Sequence, residues 1–369
     1  MSLARELKAQ APGCQIVYIG SQGDKFDSFQ ESSHDFDFTA FIKAGKFRRY
    51  HNSKFGGVFG LRTMALNVRD LFRLPGSVII SMRLLKKFKP DVVFSKGGFV
   101  AVPVGLAARL RRIPIVTHDS DIVPGLANRV VGRWAEVHAT GMPAEYYPAY
   151  PKSRTRYVGI PIDERIRKVT PKLQNEIKRK LDLPADSAVL LVSGGGNGSK
   201  RLNDLMLAIA GELLETNLSL YIIHLTGTKH LIAVKAGYKA LPKNDQKRLV
   251  VLGYSNDFYT YVAASDLVVA RAGATTLAEL AVAGKACIVV PASFLAGGHQ
   301  LENAKQLTER DAAVVLSEDV QPDELMALIS QLLADDHRRF ELARNLYASA
   351  KPDASAKLAD LILKTAGAD

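Results

Sequence analysis

The sequence predicts an α/β protein of two domains, each a doubly wound parallel sheet with helices on both faces. Three observations carry that expectation. Short β-branched runs alternate with longer stretches whose apolar residues recur every three or four positions, the rhythm of βαβ units. The chain has 369 residues, more than the roughly 250 to 300 at which a single hydrophobic core stops growing. Tyr147-Pro148-Ala149-Tyr150-Pro151 and Val158-Gly159-Ile160-Pro161 have the proline and glycine content of an interdomain crossing. The domains are therefore placed at 1–161 and 162–369, with the last helix able to pack back on the N-terminal one.

In chain order, strands are predicted at 15–20, 92–95 and 115–118, then at 189–193, 220–225, 249–252, 267–270 and 286–291. Helical periodicity marks 3–10, 202–215, 275–283, 301–309, 322–334 and 337–350. A doubly wound domain opens strand, glycine loop, helix. This chain opens on a helical pattern, so the first strand of the N-terminal domain and the loop after it are expected to be missing.

Composition narrows the class. Hydrophobic residues make up 47% and charged residues 23%, with a mean hydropathy of +0.01, which supplies two packed cores and argues against disorder or a fibre. The longest uncharged apolar stretch, 97–108, is broken by Pro103 and falls short of the ~20 residues of a membrane span. The N-terminus carries Glu6 and lacks a signal peptide's apolar core, so a cytoplasmic protein is expected. The two cysteines, Cys14 and Cys287, fit buried thiols in a reducing compartment.

The net charge of +12 is concentrated in the first half: residues 1–160 hold 24 Lys+Arg against 12 Asp+Glu, and 161–369 hold 25 of each. Residues 41–90 alone hold 12 basic side chains and one acid, Asp70, interleaved with Phe47, Tyr50, Phe55, Phe59, Leu71, Phe72, Ile79, Ile80 and Phe88. Such a segment reads either as a surface for anionic lipid headgroups or as a solvated helix face over ordinary core positions. No zinc, RRM or KH signature accompanies it, so no nucleic-acid partner is expected.

Chemistry is suggested at strand ends. The run Leu190-Leu191-Val192-Ser193 enters Gly194-Gly195-Gly196-Asn197-Gly198 and then a helix near Leu202. Glycines let backbone N–H groups approach an anion, and a helix N-terminus favours negative charge; the same pattern also serves as a tight turn in any α/β domain. A second mouth is Arg271-Ala272-Gly273-Ala274-Thr275-Thr276-Leu277-Ala278-Glu279, where small residues and hydroxyls form a diphosphate cradle and Glu279 can accept both ribose hydroxyls. Arg271 is either a charge partner or a structural ion pair. Gly298-His299-Gln300 with Asn303 supplies a third mouth, and three on one sheet point to a nucleotide pocket. In the first half, Gly97 and Gly98, and His118 followed by Asp119 and Asp121, also lie at strand ends; His118 alone reads equally as a structural histidine. Asp35-Phe36-Asp37 has the spacing of a metal-dependent sugar-nucleotide motif but ends no apolar strand, and is read as surface. No other metal-ligand cluster is visible, so neither metal nor cofactor is expected.

Together, Gly45-Lys46-Phe47-Arg48-Arg49-Tyr50, Ser95-Lys96-Gly97-Gly98-Phe99-Val100, His118-Asp119-Ser120-Asp121 with Pro124-Gly125-Leu126-Ala127-Asn128, the 194–198 loop, Arg271-Ala272-Gly273-Ala274, and His299-Gln300 with Asn303-Ala304 resemble the MurG family of peptidoglycan N-acetylglucosaminyltransferases, in glycosyltransferase family 28. The match runs in one order over nearly the whole chain. It implies the GT-B fold, two Rossmann-like domains facing a cleft, and a peripheral place on the cytoplasmic face of the cell membrane. The implied reaction is inverting transfer of N-acetylglucosamine from UDP-N-acetylglucosamine to the muramoyl 4-hydroxyl of lipid I, giving lipid II, with no metal at the diphosphate.

The resemblance assigns the donor to the C-terminal domain, at Gly194, Gly195, Gly196, Asn197, Gly198, Arg271, Ala274, Thr275, Thr276, Glu279, His299 and Gln300. It assigns the acceptor to the N-terminal domain, at Gly97 and Gly98, with His118 as first and Asp121 as second candidate for the catalytic base. The basic apolar segment would rest on anionic membrane. The chain departs from the family in three places: the glycine loop with its histidine after the first strand is missing, Asp163 replaces an interdomain arginine, so that one donor contact is missing or supplied by Arg165, and Gly196 replaces a serine. A truncated or non-catalytic UDP-sugar-binding member, or a transferase with another lipid-linked acceptor, remains the alternative.

Overall fold

The computed structural model describes residues 1–22, 33–45, 68–70, 72–293 and 298–367. The chain divides into two compact units: Met1–Asp163 with Phe294–His299 and Lys351–Asp369, and Glu164–Ser293 with Gln300–Ala350.

In the first unit, α1 (Ser2–Gln10) leads into β1 (Val17–Ser21), which pairs in parallel with β2 (Phe38–Ile42). After α2 (Leu74–Phe88) come β3 (Val93–Ser95), α3 (Ala101–Leu110), β4 (Ile115–Asp119), α4 (Leu126–Val131), β5 (Val137–Thr140) and β6 (Thr155–Tyr157). Among the described residues these strands form two parallel sheets, β1-β2 and β3-β4-β5-β6. Neighbouring residues of a strand face opposite sides. Ile115 accordingly packs with Leu85, Val104, Ala107 and Val131, whereas Val116 packs with Ala139, Val158 and, from the chain's last helix, Leu358 and Ile362. Helix α1 joins this second cluster through Leu3 and Leu7. Its polar side is fastened to the approach to β2 by Arg5–Asp35 (3.0 Å) and Lys8–Asp37 (3.1 Å), and Asp37 also accepts from the Ile16 amide at 2.7 Å. The Asp35-Phe36-Asp37 pair thus ties a helix to a strand.

Helix α2 buries two hydroxyls beside an apolar side chain. Its buried residues are Ser77, Ser81 and Leu85, one turn apart; the two hydroxyls donate to the carbonyls of Lys43, Arg73 and Ser77. Its isoleucines, Ile79 and Ile80, are exposed, as is Phe72 just before it, at 80%. The rest of the predicted basic apolar segment, 46–67 and 71, lies outside the described residues.

The second unit contains α5 (Pro171–Lys180), β7 (Ala188–Ser193), α6 (Lys200–Thr216), β8 (Leu220–Leu225), α7 (Leu231–Tyr238), α8 (Lys243–Gln246), β9 (Leu249–Leu252), α9 (Phe258–Ala264), β10 (Leu267–Ala270), α10 (Ala274–Ala283) and β11 (Cys287–Val289). Then follow α11 (His299–Glu309), β12 (Val314–Val315), α12 (Pro322–Ala334) and α13 (Asp336–Tyr347); α14 (Ala354–Ala366) returns to the first unit. Among the described residues six parallel strands stand in the order β12-β11-β10-β7-β8-β9. The chain winds outward from β7 through β8 to β9, then crosses to β10 on the other side of β7, so the strand order reverses between β7 and β10. That is where open α/β sheets bind ligands. Both strands are buried throughout except Ala188, as expected of central parallel strands covered on both faces. Helix α6 lays Leu202, Leu205, Met206, Ile209 and Leu213 against Leu190 and Val192. It begins at Lys200 because the Ser199 hydroxyl accepts the Leu202 amide as an N-cap. Among the described residues no helix is long and apolar enough to cross a membrane.

Candidate active site

Register sets the site of the second unit. Ser193 of β7 pairs with Ala270 of β10, so the loops that follow them open side by side at the reversal. In the first loop, Gly195 and Gly198 have φ of +78° and +71°, and a Cβ on Gly198 would lie 2.1 Å from the Thr226 carbonyl oxygen. Only glycine fits there. Gly194 is equally confined, 2.3 Å from the Ser199 amide, while Gly196 faces open space. The loop's two ends are therefore locked while Gly196 and Asn197 at its tip are exposed.

The second loop delivers the N-terminus of α10. Its N-cap, Gly273, contributes no side-chain cap, and the first N–H groups of a helix have no partner within it. The amides from Ala274 to Thr276 thus concentrate positive potential, with Thr275 exposed beside them and Glu279 half-buried one turn on. Gln300 is buried and accepts the Ala292 amide at 2.9 Å; Asn303 donates to the Ala272 carbonyl at 3.0 Å.

Arg271, expected at the donor or in a structural ion pair, makes three internal hydrogen bonds. It is buried, with Nε donating to Ser199 Oγ, Nη1 to the Val290 carbonyl and Nη2 to Glu318 Oε1, each at 3.0 Å. Arg165 anchors the loop after β9, bonding Asp257 (3.2 Å) and the Asn256 carbonyl (3.0 Å) and lying 4.3 Å over the Tyr259 ring. That loop exposes Tyr254, a further strand-end side chain that sequence reasoning passed over although Gly253 marks the turn.

In the first unit Gly97 and Gly98 are left-handed, at φ +89° and +82°, between β3 and α3. The Gly97 amide donates to Ser95 Oγ (3.2 Å), Ser95 to Asn128 Oδ1 (2.9 Å), and Asn128 Nδ2 to the His118 carbonyl (2.9 Å) and Asp119 (3.1 Å). Asp119 also accepts Tyr150 Oη at 2.7 Å, and burial raises its pKa against these bonds. Ser95, Asp119, Asn128 and Tyr150 form a buried frame that no sequence signal separated from their neighbours.

His118, the first choice of base, is enclosed. The His118 ring is 1% exposed, its Nε2 donates to the Gly159 carbonyl at 2.9 Å, and burial lowers its pKa to about 4. It is a neutral, enclosed strut. The Asp121 side chain, three residues on, is 34% exposed. His299, which groups with the first unit, has Nδ1 3.3 Å from Asp121 Oδ1, and that carboxylate raises its pKa. Among the described residues no three His, Cys, Asp or Glu side chains are grouped to hold a metal ion.

Residues 1–140 match the glycosyltransferase family 28 N-terminal domain and residues 189–358 the family 28 C-terminal domain. The chain is 30% identical over 365 residues to the UDP-N-acetylglucosamine–N-acetylmuramyl-(pentapeptide) pyrophosphoryl-undecaprenol N-acetylglucosamine transferase of Natranaerobius thermophilus, covering 98% of this chain and 94% of that one. It is 32% identical to the transferase of the same name from Halothermothrix orenii, covering 96% and 92%. The crystal structure of Acinetobacter baumannii MurG superposes with a TM-score of 0.70 at 25% identity, covering 98% of this chain and 94% of that one. A glycine loop beside an uncapped helix at the reversal of a parallel sheet and full-length kinship agree: the chain belongs to the MurG transferases of glycosyltransferase family 28.

Proposed function

We propose that the chain transfers N-acetylglucosamine from UDP-N-acetylglucosamine to the muramoyl 4-hydroxyl of lipid I, with inversion, forming lipid II in peptidoglycan synthesis. The observation that carries the donor half is the pairing of Ser193 with Ala270, which sets the 194–198 loop beside the start of α10. When the sugar's C1 bonds to the acceptor oxygen, its bond to the diphosphate breaks and UDP leaves with a negative charge. Backbone N–H groups fixed before the reaction stabilise that charge without reorganising. The diphosphate is assigned to the 194–198 loop and to Ala274, Thr275 and Thr276, the ribose to Glu279, and the transferred sugar to His299 and Gln300. The acceptor is assigned to the first unit, near Gly97 and Gly98. Asp121 takes the proton of the attacking hydroxyl, since its carboxylate is partly exposed whereas His118 is enclosed.

The same unit is assigned to the anionic cytoplasmic surface of the cell membrane. Helix α2 supports this, because it turns Ile79 and Ile80 outward next to exposed Arg83, Lys86 and Lys87. Apolar side chains enter the headgroup layer while the cations meet the lipid charge.

Incubation with UDP-[14C]N-acetylglucosamine and purified lipid I tests the reading. Label should enter the lipid fraction as an equal amount of UDP is released. Donor binding without transfer to any acceptor would identify a non-catalytic member, and preference for another lipid-linked acceptor would replace lipid I.

A further inference from the structure

The donor loops are held by a carboxylate that stands behind them. Glu318 lies between β12 and α12. Its Oε1 accepts Arg271 Nη2 at 3.0 Å; its Oε2 accepts the Ser293 amide at 2.8 Å and the Ser293 hydroxyl. Through Arg271 it reaches Ser199, the N-cap directly after the 194–198 loop, and the Val290 carbonyl at the end of β11. One side chain therefore fastens the mouths of β7, β10 and β11. Its own loop is held in turn by Arg201, which donates to the backbone carbonyls of Glu318 (2.9 Å) and Val320.

We infer that Glu318 is a positioning residue for donor binding: through Arg271 and Ser293 it holds the 194–198 loop, the start of α10 and the chain at Ser293 after β11 in mutual register. The inference rests on the donor site proposed above. Chemistry makes the network demanding. Arg271 is buried, and an isolated buried guanidinium is costly, so it requires a counter-charge. Burial lowers the Arg271 pKa against the raising effect of Glu318. For Glu318 the balance favours the anion: burial opposes the charge, but the bonds from Ser293 and Arg271 outweigh it. Two oxygens accepting from two separate mouths is what a carboxylate provides and a carboxamide does not. In Glu318→Gln one of the two positions becomes an NH2 group facing an N–H donor.

Calorimetric titration of the full chain with UDP, alongside unfolding temperatures without ligand, tests this. Glu318→Gln should weaken UDP binding about tenfold, and in the transfer assay raise KM for UDP-N-acetylglucosamine about as much while changing kcat less than threefold. Ser293→Ala, which removes one hydroxyl, should shift UDP affinity in the same direction by about two- to fourfold. Combined with Arg271→Lys, Glu318→Gln should add less than the product of the two single effects, because both act through one network. Arg338→Gln, which breaks the Arg338–Asp311 pair (2.6 Å) elsewhere in this unit, should lower the unfolding temperature and leave UDP affinity unchanged. Absence of UDP binding by the unaltered chain overturns the donor reading itself. UDP binding by the unaltered chain that persists within twofold in Glu318→Gln overturns the role of Glu318 alone. If that variant does not fold, unchanged affinity in Ser293→Ala overturns it as well.

Discussion

His118 Nε2 donates to the carbonyl of Gly159 across 2.9 Å, so the end of β4 holds the chain where it leaves β6 for the second unit. Gly159 has no room for anything but hydrogen: its φ is +91° and a Cβ would lie 2.6 Å from Lys351 Cβ. The imidazole and the glycine form one fastening, and a ring so placed cannot turn toward a substrate without releasing the crossing.

His118 and Asp121 should accordingly separate in their effects. Asp121→Asn should lower kcat by about 10²- to 10⁴-fold, the usual worth of a general base, with little change in unfolding temperature. His118→Leu leaves a buried carbonyl without its partner and should cost about 1–3 kcal/mol of stability, while kcat falls less than tenfold. Transfer rates and thermal unfolding of both variants check this. A loss of activity in His118→Leu equal to that in Asp121→Asn, at undiminished stability, would restore His118 as the base.

Acid should destabilise the protein through three enclosed imidazoles. Burial is the main cause that lowers the pKa of His118, His138 and His224 from 6.5 to about 4. His224 is held between Tyr238 Oη (2.9 Å) and Asn203 Oδ1 (3.0 Å), and His138 Nδ1 is hydrogen-bonded with Thr117 Oγ1 (3.1 Å). Between pH 6.5 and 4 the unfolded chain binds protons that the folded chain refuses, so the contribution is complete above pH 6.5 and lost as the pH falls toward 4. The slope is on the order of 1.4 kcal/mol per pH unit for each histidine. Urea unfolding at pH 7.5, 6 and 5 should show stability falling steeply, and His224→Gln should flatten the curve by about one proton. A flat profile would mean that the three rings are protonated in the folded state.

The glycine loop makes a prediction that depends on position. Gly198→Ala combines a left-handed φ with a Cβ 2.1 Å from a backbone oxygen, so the loop must move and UDP affinity should drop at least tenfold. Gly196→Ser meets nothing within 4 Å and should leave affinity unchanged or improve it through a new hydroxyl. Calorimetry with UDP decides; equal losses in the two variants would show that the loop is not at the ligand.

Glu279 and the helix N-terminus make a companion case. Losing the ribose bonds in Glu279→Ala should cost about 1–3 kcal/mol of UDP binding. Binding to the unaltered chain should survive EDTA, because the charge assigned to the diphosphate is supplied by backbone N–H groups. Binding abolished by EDTA would reassign the diphosphate to a metal ion.

How far the sequence could be read follows from burial. Strands β8, β9 and β10 are observed at the predicted residues, because each is a mainly apolar run, broken only by His224 in β8. Strand β2 was not predicted: Phe38 and Thr39 are exposed and the run begins on acids that serve α1. Strand β6 has only Thr155 buried, and β12 is two residues long. Helix α5 was passed over because seven of its ten residues are charged or amide, yet Lys178 is buried there, donating to Asp266 (2.9 Å) and the Ser187 carbonyl (2.7 Å). The strand-end loops at 194–198 and 271–273 were legible as loops because glycine breaks the apolar runs there. The inward bonds of His118 and Arg271 were not legible, because a polar residue in a motif looks the same in sequence whether it faces a ligand or a carbonyl.

Helix α2 carries the last prediction. Phe72, just before it, and Ile79 and Ile80 within it are 80%, 54% and 42% exposed while the helix buries two serines and Leu85, so these three apolar side chains do not serve the core. Arg73, Arg83, Lys86 and Lys87 are exposed around them. Vesicles containing phosphatidylserine or cardiolipin should sediment the protein at low salt and release much of it near 1 M salt, where the Debye length has fallen to about 3 Å. Ile79→Ser with Ile80→Ser should reduce binding at every salt concentration, because the term removed is apolar. Lys86→Glu with Lys87→Glu should instead reduce the salt-sensitive part, at about 1 kcal/mol for each cation removed from the surface. Neither pair touches the core, so unfolding temperatures should stay within a few degrees. Equal sedimentation with neutral and anionic vesicles would exclude the electrostatic contribution, and unchanged binding of the isoleucine variant would show that α2 does not face the lipid.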